Sequence, residues 1–191
     1  GMVGRLTEVK GHRILLRALT RLRDLRDLRV HIIGEGSLKQ DLEEFCLAQG
    51  LRETVQFLNF KKNIYDYIAA LDALVMPSLH EGLPYALLES MYLGVPIIAS
   101  DIGGPGEILE HNVDALLVKP GDERALAEAI RSLHDNRALR ESLSEKALLK
   151  VNRDFMIATM LEEYLGVLCQ ALRMKRAEEH SLAESALEKD C

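Results

Sequence analysis

A chain of 191 residues is long enough to bury a full hydrophobic core, so it needs neither a disulfide framework nor a structural metal to fold. Hydrophobic residues at 48% and charged ones at 28% give the composition of an ordinary globular protein. A net charge of −6 argues against a general nucleic-acid binder, although a local group of cations can still hold a phosphate.

Strands and helices alternate along the chain. Gly1 before Met2 reads as a cloning remnant. "MVGRL" reads as the tail of a short strand. "HRILLRALTRLRDL" carries Ile14, Leu15, Ala18, Leu19, Leu22 and Leu25 as a helical stripe. "LRVHIIGEG" is a short apolar strand ending in glycines. "SLKQDLEEFCLAQG" is a helix with Ser37 as its cap and Gly50 at its stop. "TVQFLNF" is a strand, "NIYDYIAAL" a short helix capped by Asn63, and "DALVMPS" a buried strand closed by Pro77. "LPYALLESMYLG" is a helix with Pro84 in its first turn and Gly94 at its end. "VPIIAS" and "DALLVKPGD" are further strands, followed by helices near residues 122–134 and 137–150. "NRDFMIATMLEEYLGVLCQALRM" places Leu161, Leu165, Leu168 and Leu172 on one helical stripe.

Five or six apolar strands alternating with amphipathic helices predict an α/β fold with an open, doubly wound, Rossmann-like parallel sheet. Ligands in such a sheet bind at the carboxyl ends of the strands. The loops expected there are Gly34–Glu35–Gly36, Ser78 to Gly82 and Ser100 to Gly104. Cys46, Cys169 and Cys191 form neither a zinc pattern nor a disulfide framework and read as reduced thiols in a cytoplasmic protein. No apolar run approaches the ~20 residues of a membrane span.

Glu89 lies among Leu87, Leu88, Met91 and Tyr92, where an ionised carboxylate is expensive unless something bonds to it. Its partner is either a group within the protein or a ligand. The glycine pairs Gly34/Gly36 and Gly103/Gly104, and Gly82 with Leu83, either make tight turns or aim N–H groups at an anion. Phe60 is a further loop position at the same edge. Arg5 and Lys10 either stay solvated or neutralise a diphosphate there. No D-x-D cluster suits a metal, and His80 reads as a packing residue of its loop.

"GRLTEVKG", "IIGEGSLKQDLEE", "VQFLNF", "DALVMPSLHEGLPYALLESMYLGVPIIASDIGGPGEIL" and "DALLVKPGD" resemble the nucleotide-sugar-binding, C-terminal half of GT-B retaining glycosyltransferases, the glycosyl transferases group 1, or family 4. The resemblance runs from Val3 to Lys150, and Glu81 and Glu89 match the family's E-x7-E signature. It implies that Glu89 accepts hydrogen bonds from the donor ribose and that Glu81 faces the donor sugar as the catalytic carboxylate. It further implies that Arg5, Lys10 and the backbone of Gly82 and Leu83 hold the diphosphate of a UDP or GDP sugar. No metal or other cofactor is expected.

The acceptor-binding domain that such enzymes carry is not in this sequence. The expected partner is therefore that N-terminal domain, a separate acceptor subunit, or a second copy through the C-terminal helix. Residues 1–173 read as the donor-binding domain and 174–191 as a charged tail, either frayed helix or disordered. The expected location is cytoplasmic, with the intact enzyme able to sit peripherally at a membrane. Alternative readings are a non-catalytic nucleotide-binding module and an epimerase-like domain. Asn59, where the family often has glycine, leaves the base preference open, and "HNVDALLV" lacks the usual glycine before its strand.

Overall fold

The computed structural model describes the backbone of residues 1–187 and side chains as far as Lys175. The chain divides into two compact units, one ending at Val151 and one starting at Asn152. The first holds six strands: β1 (Met2–Val3), β2 (Val30–Ile33), β3 (Val55–Leu58), β4 (Leu74–Met76), β5 (Ile97–Ser100) and β6 (Leu116–Val118). Every pairing is parallel, in two ladders, β1-β2-β3 with β1 at one end and β4-β5-β6 with β4 at one end.

Backbone bonds join the ladders. The Val75 N–H donates to the Gly1 carbonyl at 2.7 Å, and the Gly1 nitrogen donates to the Ala73 carbonyl at 2.7 Å. Gly1, read from sequence as a cloning remnant, thus sits within the sheet. Placing β1 beside β4 gives a spatial order of β3-β2-β1-β4-β5-β6, the doubly wound Rossmann order.

Strand alternation sends successive side chains to opposite faces. Val75 and Ile98 join a core with Leu15 and Leu19 of α1 (His12–Leu19), Leu42 of α2 (Lys39–Ala48) and Ile130 of α6 (Glu123–Asp135). Their neighbours Leu74 and Ile97 are equally buried but lie outside that core. On the second face α3 (Ile64–Ala69) packs on α4 (Tyr85–Tyr92), and α4 packs on β5. Each such side chain contributes about 1.5–3 kcal/mol by leaving water.

Several sequence expectations change at element ends. The first helix stops at Leu19, and residues 20–28 continue as turns in which Leu22, Leu25 and Leu28 donate to the carbonyl three residues back. Ser37 does not cap α2: Leu38 occupies that position, because its N–H is drawn to the Leu6 carbonyl at 3.2 Å. Asn63 does stand at the start of α3 but makes no side-chain cap bond. Pro84 is the cap residue of α4 rather than part of its first turn. Gly103 and Gly104 lie inside α5 (Gly103–Ile108) rather than ahead of it. In place of the glycine missing before β6, Asn112 takes the left-handed conformation at φ 62°.

The last two expected helices are both present and extend beyond their predicted ends. Helix α7 runs from Arg137 to Asp154 and α8 from Ile157 to Leu187. Leu161, Leu165, Leu168 and Leu172 are exposed on α8. The final four tail positions, with Cys191, lie outside the described residues.

Candidate functional site

A doubly wound sheet opens a crevice where its strand order reverses. Here that point lies between the carboxyl ends of β1 and β4. The chain leaves β1 through Arg5, passes a short 3-10 turn over Glu8–Lys10 and enters α1. It leaves β4 through Pro77, Ser78, Leu79, His80 and Glu81 and enters α4. The two exits are tied together, since the Leu79 N–H donates to the Val9 carbonyl at 2.7 Å.

Gly11 makes this approach feasible. It is left-handed at φ 74°, and a Cβ on it would overlap the Pro77 carbonyl. The turn before it can therefore press Lys10 against the loop after β4. The Lys10 Nζ donates to the Glu81 Oε1 at 2.5 Å, and the Ser78 hydroxyl donates to the same oxygen at 2.7 Å. The Glu81 side chain is 10% exposed and that of Lys10 is 24% exposed, so both open on the crevice. Arg5 is exposed where the chain leaves β1.

At the start of α4, Gly82 and Leu83 are exposed, and their N–H groups have no hydrogen-bond partner among the described residues. Orphan N–H groups at a helix start suit an anion. Glu89 lies on the same helix and is half-buried, not enclosed as its apolar neighbours suggest: Leu87 and Met91 point into the core while Tyr92 is exposed. Its carboxylate has no hydrogen-bond partner among the described residues.

The glycine pairs fasten loops together. A Cβ on Gly34 would overlap the Gly4 carbonyl, and one on Gly36 the Leu6 carbonyl. The Leu6 N–H also donates to the Glu35 carbonyl at 2.9 Å. Across the crevice a Cβ on Gly104 would overlap the Gly82 carbonyl, and one on Gly103 would press on the Glu81 carbonyl. Only backbone without side chains fits there. Farther along the edge, the Phe60 N–H donates to the Glu35 carboxylate at 3.4 Å and Lys39 to the Asn59 side chain at 2.8 Å, with the Phe60 ring exposed.

Two residues gain importance that the sequence did not assign. Ser78 received no role, and only its place after a strand-ending proline hinted at one. His12, at the head of α1, is 1% exposed, and neither ring nitrogen completes a hydrogen bond among the described residues. Burial pushes its imidazole down to about 4, with the Thr7 backbone acting against that shift and the nearby Lys10 charge adding to it.

A cavity of about 460 Å³ opens elsewhere, at the amino-terminal strand edge, lined among others by Arg29, Val30, Ala73 and Arg140. It includes none of Arg5, Lys10, Glu81 or Glu89. Among the described residues no single helix is long and apolar enough to cross a membrane.

Residues 1–150 match the family model described as Glycosyl transferases group 1. The lipopolysaccharide core biosynthesis glycosyltransferase LpsD of Rhizobium meliloti is 35% identical over 165 residues, which cover 86% of this chain and 47% of that protein. The chain thus spans about half the length of this relative. HepE of Anabaena, crystallised with UDP, superposes with a TM-score of 0.82 at 25% identity, covering 88% of this chain and 48% of that one. The crystallised C-terminal domain of LpcC, a glycosyl transferase group 1 protein of Francisella tularensis, superposes with a TM-score of 0.76 at 25% identity, covering 82% of this chain and 85% of that one.

Proposed function

The chain belongs to the glycosyl transferases group 1 family and has the Rossmann-like, C-terminal half of the GT-B fold, and from that premise we propose that it is the donor-binding half of a retaining glycosyltransferase. It takes a sugar from a nucleoside diphosphate sugar and passes it to an acceptor held by another domain or subunit. The observation that carries the reading is the Lys10–Glu81 pair at the β1/β4 crevice. It sets a cation and a carboxylate side by side where such a sheet takes its ligand. Arg5 and the Lys10 ammonium neutralise the diphosphate, and the N–H groups of Gly82 and Leu83 complete its cradle. These cations and dipoles also stabilise charge on the departing diphosphate, so the step requires no divalent metal. The free carboxylate of Glu89 accepts from the ribose diol, and Glu81 meets hydroxyls of the sugar.

UDP is the favoured base partner, because the similar HepE was crystallised with it; GDP is the alternative. An acceptor half completes the site by positioning the acceptor and shielding the bound sugar from water. Assayed without such a half, these residues hydrolyse donor slowly at most. The exposed leucine stripe of α8 is available to the acceptor half or to a second copy.

Calorimetry of the chain with UDP and GDP, with and without a chelator, tests the reading. Binding that survives the chelator is expected. No heat from either nucleotide, or binding abolished by the chelator, overturns it.

A further inference from the structure

We infer that Ser78 is a positioning residue that holds the Glu81 carboxylate in register for the donor sugar, an inference that rests on the reading of the crevice as a sugar-nucleotide site. The geometry divides the carboxylate in two. Oε1 receives both the Lys10 ammonium at 2.5 Å and the Ser78 hydroxyl at 2.7 Å. Oε2 has no partner among the described residues. One oxygen is anchored and the other is available to the crevice.

The two anchors differ physically. Lys10 brings its ammonium on a flexible four-carbon stem, and the same ammonium is called on by the diphosphate. Ser78 has a single short bond to turn. It stands two residues beyond the end of β4, is 2% exposed, and is fixed between the buried Pro77 and the tie from Leu79 to Val9. A ligand can draw Lys10 toward its phosphates, but it cannot reach Ser78. When Lys10 turns to the diphosphate, the serine bond is what keeps Oε1 in place, and with it the direction in which Oε2 points. A hydrogen bond between a buried hydroxyl and an ionised carboxylate is strong enough for this task.

A serine that only filled its pocket would affect the bare diphosphate and its sugar conjugate alike. A positioning serine affects only the sugar, since the phosphates are held by other groups. Titrations with UDP and GDP beside UDP-glucose, UDP-N-acetylglucosamine and GDP-mannose separate these cases on the folded chain. Each affinity is expressed as the gain of the sugar conjugate over its own diphosphate.

The expected result is that Ser78→Ala binds the diphosphate within twofold of the parent chain and loses about tenfold of the gain from the sugar. Ser78→Thr, which keeps the hydroxyl, restores that gain. Ser78→Cys, close in shape and a weak donor, behaves like the alanine variant and serves in its place if the alanine variant melts early. Equal losses for diphosphate and conjugate make Ser78 structural and overturn the inference. So does an unchanged gain in Ser78→Ala where Glu81→Gln loses it, an outcome that leaves the reading of the crevice intact. A parent chain that binds no nucleotide, or gains nothing from any of the sugars, overturns the crevice reading and this inference together.

Discussion

The Lys10 ammonium and the Glu81 carboxylate lie 2.5 Å apart although 71 positions separate them in the chain. The pair closes the crevice between β1 and β4 and couples the cation assigned to the diphosphate with the carboxylate assigned to the sugar. Both side chains are largely but not wholly buried, so their attraction is stronger than that of a surface pair and is partly offset by lost hydration.

Lys10→Met tests this coupling. It removes the charge and keeps most of the stem. Affinity for UDP should fall by at least tenfold, because a charge-assisted bond to phosphate is lost. Stability should fall by only about 1 kcal/mol, since Ser78 still satisfies Oε1. Titration with UDP, alongside urea unfolding of the unliganded chain, checks both. An unchanged UDP affinity would show that Lys10 serves Glu81 alone.

Glu89→Gln asks whether that carboxylate answers a ribose. Binding of a ribonucleotide should weaken by about 1.5–3 kcal/mol, the size of a hydrogen bond to a charged acceptor. A 2′,3′-dideoxy nucleotide, which has no diol, should be affected far less. The melting temperature should hold, because the half-buried carboxylate has no hydrogen-bond partner within the described residues. Equal losses for both nucleotides, or a clear drop in melting temperature, would make Glu89 structural.

Gly82 and Gly104 separate packing from binding. A Cβ on Gly104 overlaps the Gly82 carbonyl, so Gly104→Ala should cost about 1–3 kcal/mol of stability. Gly82 has open space where its Cβ would stand, so Gly82→Ala should leave stability within about 0.5 kcal/mol. Its affinity for UDP should nevertheless fall if phosphate comes close to that backbone. Thermal melts and titrations of both variants provide the comparison, and a Gly82→Ala chain that binds UDP normally would remove Gly82 from the site.

His12 should make the fold sensitive to acid. Its ring is held neutral by burial, with a pKa near 4 when folded against an ordinary 6.5 when unfolded. Between those values the unfolded chain binds the extra proton. The stabilisation is therefore complete above about pH 6.5 and is lost progressively as pH falls toward 4, by about 3 kcal/mol in all. Urea unfolding at a series of pH values should show this slope in the parent chain, and His12→Leu should flatten it. A slope that persists in His12→Leu would assign the acid sensitivity to other groups.

Composition and periodicity alone specified a good deal of this molecule. Short apolar runs such as "ALVM" and "PIIA", bounded by turn residues, read as strands buried on both faces, and the helical stripes between them point to a parallel, doubly wound sheet. Arg5, Lys10 and the loop that holds Glu81 were legible as edge positions, because strand ends in such a sheet all open on one side, whereas Glu89 stood out only by its apolar neighbours and by the family resemblance. Element ends were less legible. Ser37 is a good cap by type, yet the Leu38 N–H is captured by the Leu6 carbonyl, a partner outside its own segment.

Only the tertiary structure decided which groups meet. It gave the glycines a packing role, since whether a glycine faces a ligand or another backbone depends on what the sheet brings beside it. It showed Glu89 half-buried, because the environment of one helical position depends on what covers the helix as well as on its apolar neighbours. It also joined Ser78 and Lys10 to one oxygen of Glu81. That contact depends on β1 pairing beside β4, and so on folding that brings together strands far apart in the chain.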